Sequence, residues 1–479
     1  MQDYFFINGK WETTQSSQEF PIIHPANEKL CALLPLATIE DTEKAIQAAK
    51  KAFPKWKETS KEERKQFVEK ILHLYEKYQQ EIGQAIALEM GAPLDFAQNS
   101  QAKAGLKNIQ TFLKAFDQFS FTQNFQETSY AFSDTQNTSL HFSPIGVVGL
   151  ITPWNWPIHQ ITLKVIPALL TGCTMVLKPS ELAPLSAILF AKILEEAQLP
   201  PGVFNMIFGV GEKVGRYLSA HKDIAMISFT GSTKAGQDVS KTAAQTLKRV
   251  TLELGGKGAN IICKDADPEA VRRGVAHCFN NSGQSCNAPT RMLVERDIYE
   301  KALEEAKQQA QQTQLGLSLK SGTHIGPVIS KKQFDNIRAL IQSGIEEGAK
   351  LLIGGPEQPE NFPKGFFIKP TIFYDVAPHM RIFKEEIFGP VLSITPFDSI
   401  EEAIYLANDT DYGLTNYVQS QNLEKCHYIA TQLQSGMVEI NGNSLPQECF
   451  FGGVKYSGRA REGGIFGLEE FLETRALTL

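Results

Sequence analysis

The 479-residue chain is poor in cysteine, and its seven cysteines (Cys31, Cys173, Cys263, Cys278, Cys286, Cys426 and Cys449) are scattered. An odd number with no C-x-x-C pair argues against a disulfide framework and against a zinc site or other metal centre. A reducing compartment is the simplest setting, and the cytoplasm is expected. The chain has no Lys/Arg tract: 47 Lys and Arg stand against 53 Asp and Glu, a net charge of −6 spread along the sequence. No nucleic-acid partner is therefore expected. No stretch approaches ~18 consecutive apolar residues, which excludes a membrane-spanning helix of the usual kind. Residues 1–12 have neither a basic n-region nor an apolar h-region, so they do not read as a signal peptide. Internal repeats and low-complexity segments are also missing. What remains is a globular composition, 42% hydrophobic and 21% charged, in a chain too long for one ordinary core.

The first hundred residues read as three helices. DTEKAIQAAKKAFPKW and KEERKQFVEKILHLYEKY have apolar residues at helical spacing, the second after Thr59-Ser60; EIGQAIALEMG stops at Gly91 with Pro93 following. From about 145 short apolar runs alternate with helical stretches: IGVVGLI, IHQITLKVIPALL, CTMVLK, PLSAILFAKILEEA, VFNMIF, IAMISF, TKAGQDVSKTAA and RVTLEL. That alternation implies a parallel sheet with crossover helices, which binds ligands at the carboxyl ends of its strands. From 259 the pattern resumes with ANIIC, TRMLVE, FFIKPTIF and GPVLSITPF between helices, a second α/β lobe. GGKGAN reads as a hinge between the lobes. The polar, aromatic segment 118–139 reads as an extended flap or hairpin.

Several residues suit chemistry. Cys286, in NNSGQSCNAPTR, follows a turn-like segment; a thiol attacks carbonyls once it is a thiolate. Glu253 ends an apolar strand in VTLELGGKGAN, where partial burial would raise its pKa toward that of a working general base. Asn155, in ITPWNWP, carries an amide able to donate to a developing oxyanion. Lys178-Pro-Ser180-Glu181 follows a strand, where polar groups suit a nucleotide ribose and a Glu would repel a 2′-phosphate. Phe229-Thr-Gly231-Ser232 opens a helix whose free N–H groups suit phosphate. Gly209-Val-Gly211-Glu-Lys-Val-Gly215 departs from G-x-G-x-x-G by one residue, so the standard dinucleotide fingerprint is missing. Glu385-Glu386-Ile-Phe388-Gly-Pro is a compact acidic-aromatic turn. Read singly, each has a plainer explanation: a small buried Cys, a strand-end Glu, a turn Asn, an N-capping Ser, a solvated turn.

Together and in this order, ITPWNWP, KPSE, FTGS, ELGGK, GQSC, EEIFGPV and FGGVKYSGRAREGG resemble the aldehyde dehydrogenase superfamily, from INGKW near residue 7 to GLEEFLETR. The resemblance implies an α/β fold: a Rossmann-like parallel-sheet cofactor domain (1–117 and 140–254), an α/β catalytic domain (255–456) and a small β oligomerisation flap with the C-terminal tail (118–139 and 457–479). It implies Cys286 as nucleophile, Glu253 as base and Asn155 as oxyanion donor, forming a thiohemiacetal and then a thioester that water hydrolyses. It implies NAD as cofactor, NADP being less favoured because of Glu181. The contacts would be Ile151, Thr152, Trp154, Lys178, Ser180, Glu181, Gly211, Gly215, Phe229, Gly231, Ser232, Leu254, Gly255, Glu386 and Phe388. Trp156, His159, Asn280, Ser285, Asn287 and Asn441 would border the aldehyde tunnel. The partner implied is a small-molecule aldehyde, and the assembly a homodimer or homotetramer.

That mixed aromatic and polar set suggests a substrate longer or more functionalised than acetaldehyde; no pair of Arg or Lys stands out to hold a second carboxylate, while GQSCNAPTRML resembles bacterial relatives that oxidise medium-chain oxo-acids, which leaves a semialdehyde acid open. Glu253 argues against the acyl-CoA-forming subgroup, which lacks that base. The chain departs from the family pattern at Ala460, at Cys449-Phe450 and at Cys173, the first two in the C-terminal loop. Two other readings use the same residues: an ester or thioester hydrolase working with Cys286 and Glu253 but no hydride acceptor, and a non-catalytic structural relative.

Overall fold

The computed structural model describes residues 4–14, 16–129, 131 and 138–478. Part of the expected flap, 130 and 132–137, lies outside the described residues. Two seven-stranded sheets dominate. The first runs in the order Arg249–Glu253, Met226–Thr230, Val147–Ile151, Thr174–Lys178, Phe204–Met206, Phe5–Ile7, Lys10–Glu12. Its first five strands are parallel; Phe5–Ile7 adds antiparallel to them, and Lys10–Glu12 pairs antiparallel with Phe5–Ile7. Strands such as Val147–Ile151 and Thr174–Lys178 are buried at every residue, as expected when helices cover both faces and the sequence shows continuous apolar runs.

The second sheet runs Lys350–Ile353, Thr371–Tyr374, Val391–Phe397, Arg291–Glu295, Ala259–Ile262, Thr415–Gln419, Met437–Ile440, all parallel except the first strand. A three-stranded antiparallel sheet joins the C-terminal strand Leu472–Thr478 to Thr138–Pro144 and Thr122–Asn124. The segment expected to be extended thus does contribute strands, and the tail lies against it.

The N-terminal expectation needs two corrections. Four strands (Phe5–Ile7, Lys10–Glu12, Glu19–Ile23, Leu30–Pro35) precede the first helix; runs of three to six residues are too short for their periodicity to stand out from a loop. The helices expected over KEERKQ…EKY and EIGQ…EMG are one, Lys61–Met90, capped by the Ser60 hydroxyl and ended by Gly91 at φ 82°. No Gly or Pro separates the two halves before Gly83, so nothing stops the helix between them.

Candidate active site

Cys286 stands in the loop between the helix Ala270–Phe279 and the strand Arg291–Glu295. The chain reaches it through Asn281 and Ser282, both left-handed at φ 53° and 55°. Such backbone persists where neighbours over-determine it. Here a buried network does so. Gln101 Nε2 donates to Asn281 Oδ1 (2.9 Å). Asn281 Nδ2 donates to the carbonyls of Asn155 (3.0 Å) and Gln284 (3.2 Å). Asn155 Nδ2 donates to Gln284 O (3.1 Å), and the Ile329 N–H donates to Gln284 Oε1 (2.9 Å). Asn155 and the Cys286 loop are therefore one rigid unit. The segment after Glu253 passes beneath it so closely that a Cβ on Gly256 would lie 2.2 Å from Cys286 O, which only glycine permits.

Glu253 ends its strand 2% exposed, and neither carboxylate oxygen has a hydrogen-bond partner within the protein. Burial pushes its pKa well above the usual carboxylate range, and the Glu462 carboxylate pushes the same way. Lys164 opposes that rise: its buried ammonium pairs with Glu462 and donates to Ser228 Oγ (3.0 Å). The Cys286 thiol is also pushed up, first by its surroundings and then by the charges of Glu253 and Glu386. The resting sulfur thus holds its proton, with an unpartnered carboxylate near enough to feel it.

Cys286 faces a cavity of about 620 Å³. Asn155, Trp154, Gly231, Ser232, Leu254, Gly255, Glu386 and Phe388 line it too. Glu386 accepts the Gly256 N–H (2.9 Å), and burial pushes its pKa up to about 7. Phe388 meets Trp154 edge to face at 5.5 Å and is held by Gln333, whose Nε2 donates to Phe388 O (3.0 Å). Ser232 is the N-cap of the helix Thr233–Ala243, its hydroxyl accepting from the Ala235 N–H. The remaining expected contacts stand at neighbouring strand ends of the first sheet: Ile151 and Thr152, Lys178 and Ser180, and Phe229. Glu181 pairs with Lys178 at 3.1 Å. Gly211 and Gly215 bound one turn, with Gly215 packed beside Ile151. Strand ends, a helix N-terminus and a cavity of this size fit a dinucleotide.

A second cavity, about 170 Å³, is lined by His159 and by Asn287, the residue after Cys286. Cys449 and Phe450, where the chain departs from the family pattern, lie on its wall. Trp156 lies beside His159, its indole N–H donating to Ser285 Oγ (2.9 Å). Of the six residues expected to border the aldehyde tunnel only His159 and Asn287 line this cavity; Trp156, Ser285, Asn280 and Asn441 line neither cavity. Asn280 is exposed at the end of its helix and accepts from the Asn281 N–H (3.1 Å). Asn441 closes a turn at φ 55°, its amide bonded to the backbone of Ser420 (3.0 and 2.9 Å). Sequence reading missed Gln101, Gln284, Lys164 and Glu462. Gln284 and Glu462 stood inside the quoted motifs GQSC and RAREGG without being given a task, and Lys164 left its own signal as the one cation inside the apolar helix IHQITLKVIPALL.

The aldehyde dehydrogenase family model matches residues 11–477. A 3-succinoylsemialdehyde-pyridine dehydrogenase from a Pseudomonas species is 46% identical, covering 100% of this chain and 99% of the relative. The solved aldehyde dehydrogenase of Bartonella henselae is 59% identical with a TM-score of 0.98, covering 100% of this chain and 99% of that one. A mutant aldehyde dehydrogenase C of Pseudomonas syringae, solved with NAD+ and octanal, is 43% identical with a TM-score of 0.96, covering 99% and 96%. Two sheets of mostly parallel strands with a cysteine loop at the cavity between them define the class, an α/β enzyme. The chain belongs to the aldehyde dehydrogenase family.

Proposed function

We propose that this protein oxidises an aldehyde to a carboxylic acid through a thioester on Cys286, with NAD as hydride acceptor. The observation that carries this reading is the convergence of Cys286, Asn155 and Glu386 on one cavity, with the unpartnered Glu253 close behind. NAD, when bound, supplies the site that accepts the hydride. Lys178, Ser180 and Glu181 would hold its adenosine ribose, Trp154, Gly231 and Ser232 its phosphates, and Glu386 with Phe388 its nicotinamide end. The remaining expected contacts would shape the walls. Glu181 next to Lys178 favours a free 2′-hydroxyl over a phosphate, hence NAD over NADP. Relatives solved with NAD+, and one with octanal, support the same cofactor and substrate class.

Within that frame each side chain has a task. The Cys286 sulfur adds to the aldehyde carbonyl as the thiolate, its proton passing to solvent, and the thiohemiacetal then gives up its hydride to leave the thioester. Asn155 uses one N–H on Gln284 O, leaving its second to stabilise the oxyanion. After oxidation, Glu253 removes a proton from water, whose oxygen attacks the thioester carbonyl and releases the acid and the thiol. Asn155→Ala should lower kcat about 10²–10³-fold with little change in KM; unchanged steady-state kinetics would remove Asn155 from the mechanism. The test of the whole reading is NADH absorbance across aldehydes of varied length and charge, with NAD and NADP in parallel. Turnover with NAD is expected; ester hydrolysis without NADH formation on any aldehyde would support a hydrolase instead.

The cofactor domain would comprise 1–117 and 140–254, the catalytic domain 255–456, and the flap and tail 118–139 and 457–479. All seven cysteines are free, in keeping with a cytoplasmic setting that fractionation can check. Among the described residues no helix is long and apolar enough to cross a membrane. Among the edge strands of the sheets are Met437–Ile440 and the largely exposed Leu472–Thr478. Open edges invite pairing with another chain, and homodimers or homotetramers are the expected outcome. Light scattering should give a multiple of the chain mass, whereas a monomer at micromolar concentration would contradict this.

A further inference from the structure

We infer that the second cavity selects uncharged aldehydes with an apolar chain or aryl body, and that Glu439 is the residue that keeps ω-carboxylated aldehydes out. The inference rests on the proposed oxidation at Cys286 and adds the class of substrate. At about 170 Å³ the cavity is of the size that holds one aryl ring or a medium chain, since a cavity of roughly 150 Å³ takes up benzene. Phe112, Leu163, Met437, Phe450 and Phe451 supply an apolar side to its wall, and the polar side chains beside them are uncharged apart from Glu439 and Glu462.

No Lys or Arg lines it. His159 adds no charge: burial lowers its pKa to about 4, and the Asn108 amide nitrogen lies 3.0 Å from Nδ1. Glu462 is matched by Lys164. Glu439, on the strand Met437–Ile440, is different. It is partly buried, accepts the Leu445 N–H (3.4 Å), and has no ion-pair partner among the described residues. Tyr417, its register partner, donates to Asn287 O at 2.5 Å, which ties this wall to the residue after the nucleophile.

A substrate carboxylate entering this cavity would lose its hydration, find no cation and face a like charge in low dielectric. An ammonium would meet a favourable charge at Glu439 but would leave water for a wall whose other unpaired side chains are all uncharged, so the attraction is offset by its lost hydration. An apolar chain or aryl ring loses nothing and buries its surface.

The test compares kcat/KM with NAD for hexanal, 3-phenylpropanal, 6-oxohexanoate and protonated 4-aminobutanal. Hexanal and 3-phenylpropanal should exceed 6-oxohexanoate by a hundredfold or more and exceed 4-aminobutanal as well. In Glu439→Gln the ratio of 6-oxohexanoate to hexanal should rise tenfold or more, mainly through KM for the carboxylate. Equal kcat/KM for hexanal and 6-oxohexanoate in the natural chain would overturn the inference while leaving oxidation at Cys286 standing. A preference for 4-aminobutanal, or a ratio unmoved in Glu439→Gln, would overturn it too. No NADH from any of the four would overturn both the inference and the reading beneath it.

Discussion

Cys286→Ala should form no NADH from any aldehyde, with kcat falling at least about 10⁴-fold, the scale seen when a covalent nucleophile is removed. The change deletes one sulfur and leaves intact the network that shapes its loop, because Asn281, Gln284 and Asn155 bond to one another and not to the thiol. The variant should therefore still fold and still melt at a higher temperature with NAD, since a ligand that binds only the folded state stabilises it. Turnover within tenfold of the natural chain would assign the nucleophile to another group.

Glu253→Gln should separate the two halves of the reaction. If Glu253 is the base for water, the variant should form about one equivalent of NADH per site in a burst and then turn over roughly 10²–10⁴-fold more slowly, the range for loss of a general base. The pH dependence has a definite sign. Burial and Glu462 raise the Glu253 pKa, so the carboxylate form is scarce at low pH. It accumulates only as pH rises through that raised value. Steady-state turnover of the natural chain should therefore climb with pH above the ordinary carboxylate range, and that limb should vanish in Glu253→Gln. A variant whose steady-state rate matches the natural chain would contradict the role given to Glu253.

What the sequence revealed of this site was its strand-end motifs. Glu253, Lys178, Ile151 and Phe229 lie at or beside the carboxyl ends of adjacent parallel strands. There an apolar run gives way abruptly to polar residues and glycines, and the change of character is local enough to read. The residues that hold the Cys286 loop are of another kind. Gln101 is about 180 positions from its partner Asn281, and nothing in a helix marks one glutamine as reaching a distant loop. Glu462 pairs with Lys164 across 298 positions. Asn441 shows the reverse: a motif position adjoining an edge strand, but with an amide already bonded to Ser420. The short N-terminal strands carried no period to detect, and the helix Lys61–Met90 looked divided only because its apolar face is interrupted by the polar Gln79-Gln80.

The claim on which everything turns is that the acyl group passes through the Cys286 sulfur. Glu253→Gln mixed with hexanal and NAD, quenched in acid and digested for mass spectrometry, should show one hexanoyl group on the peptide carrying Cys286. The same peptide from Cys286→Ala should carry none. NADH formed in stoichiometric amount with Cys286 unmodified, or the hexanoyl group on another residue, would contradict the account.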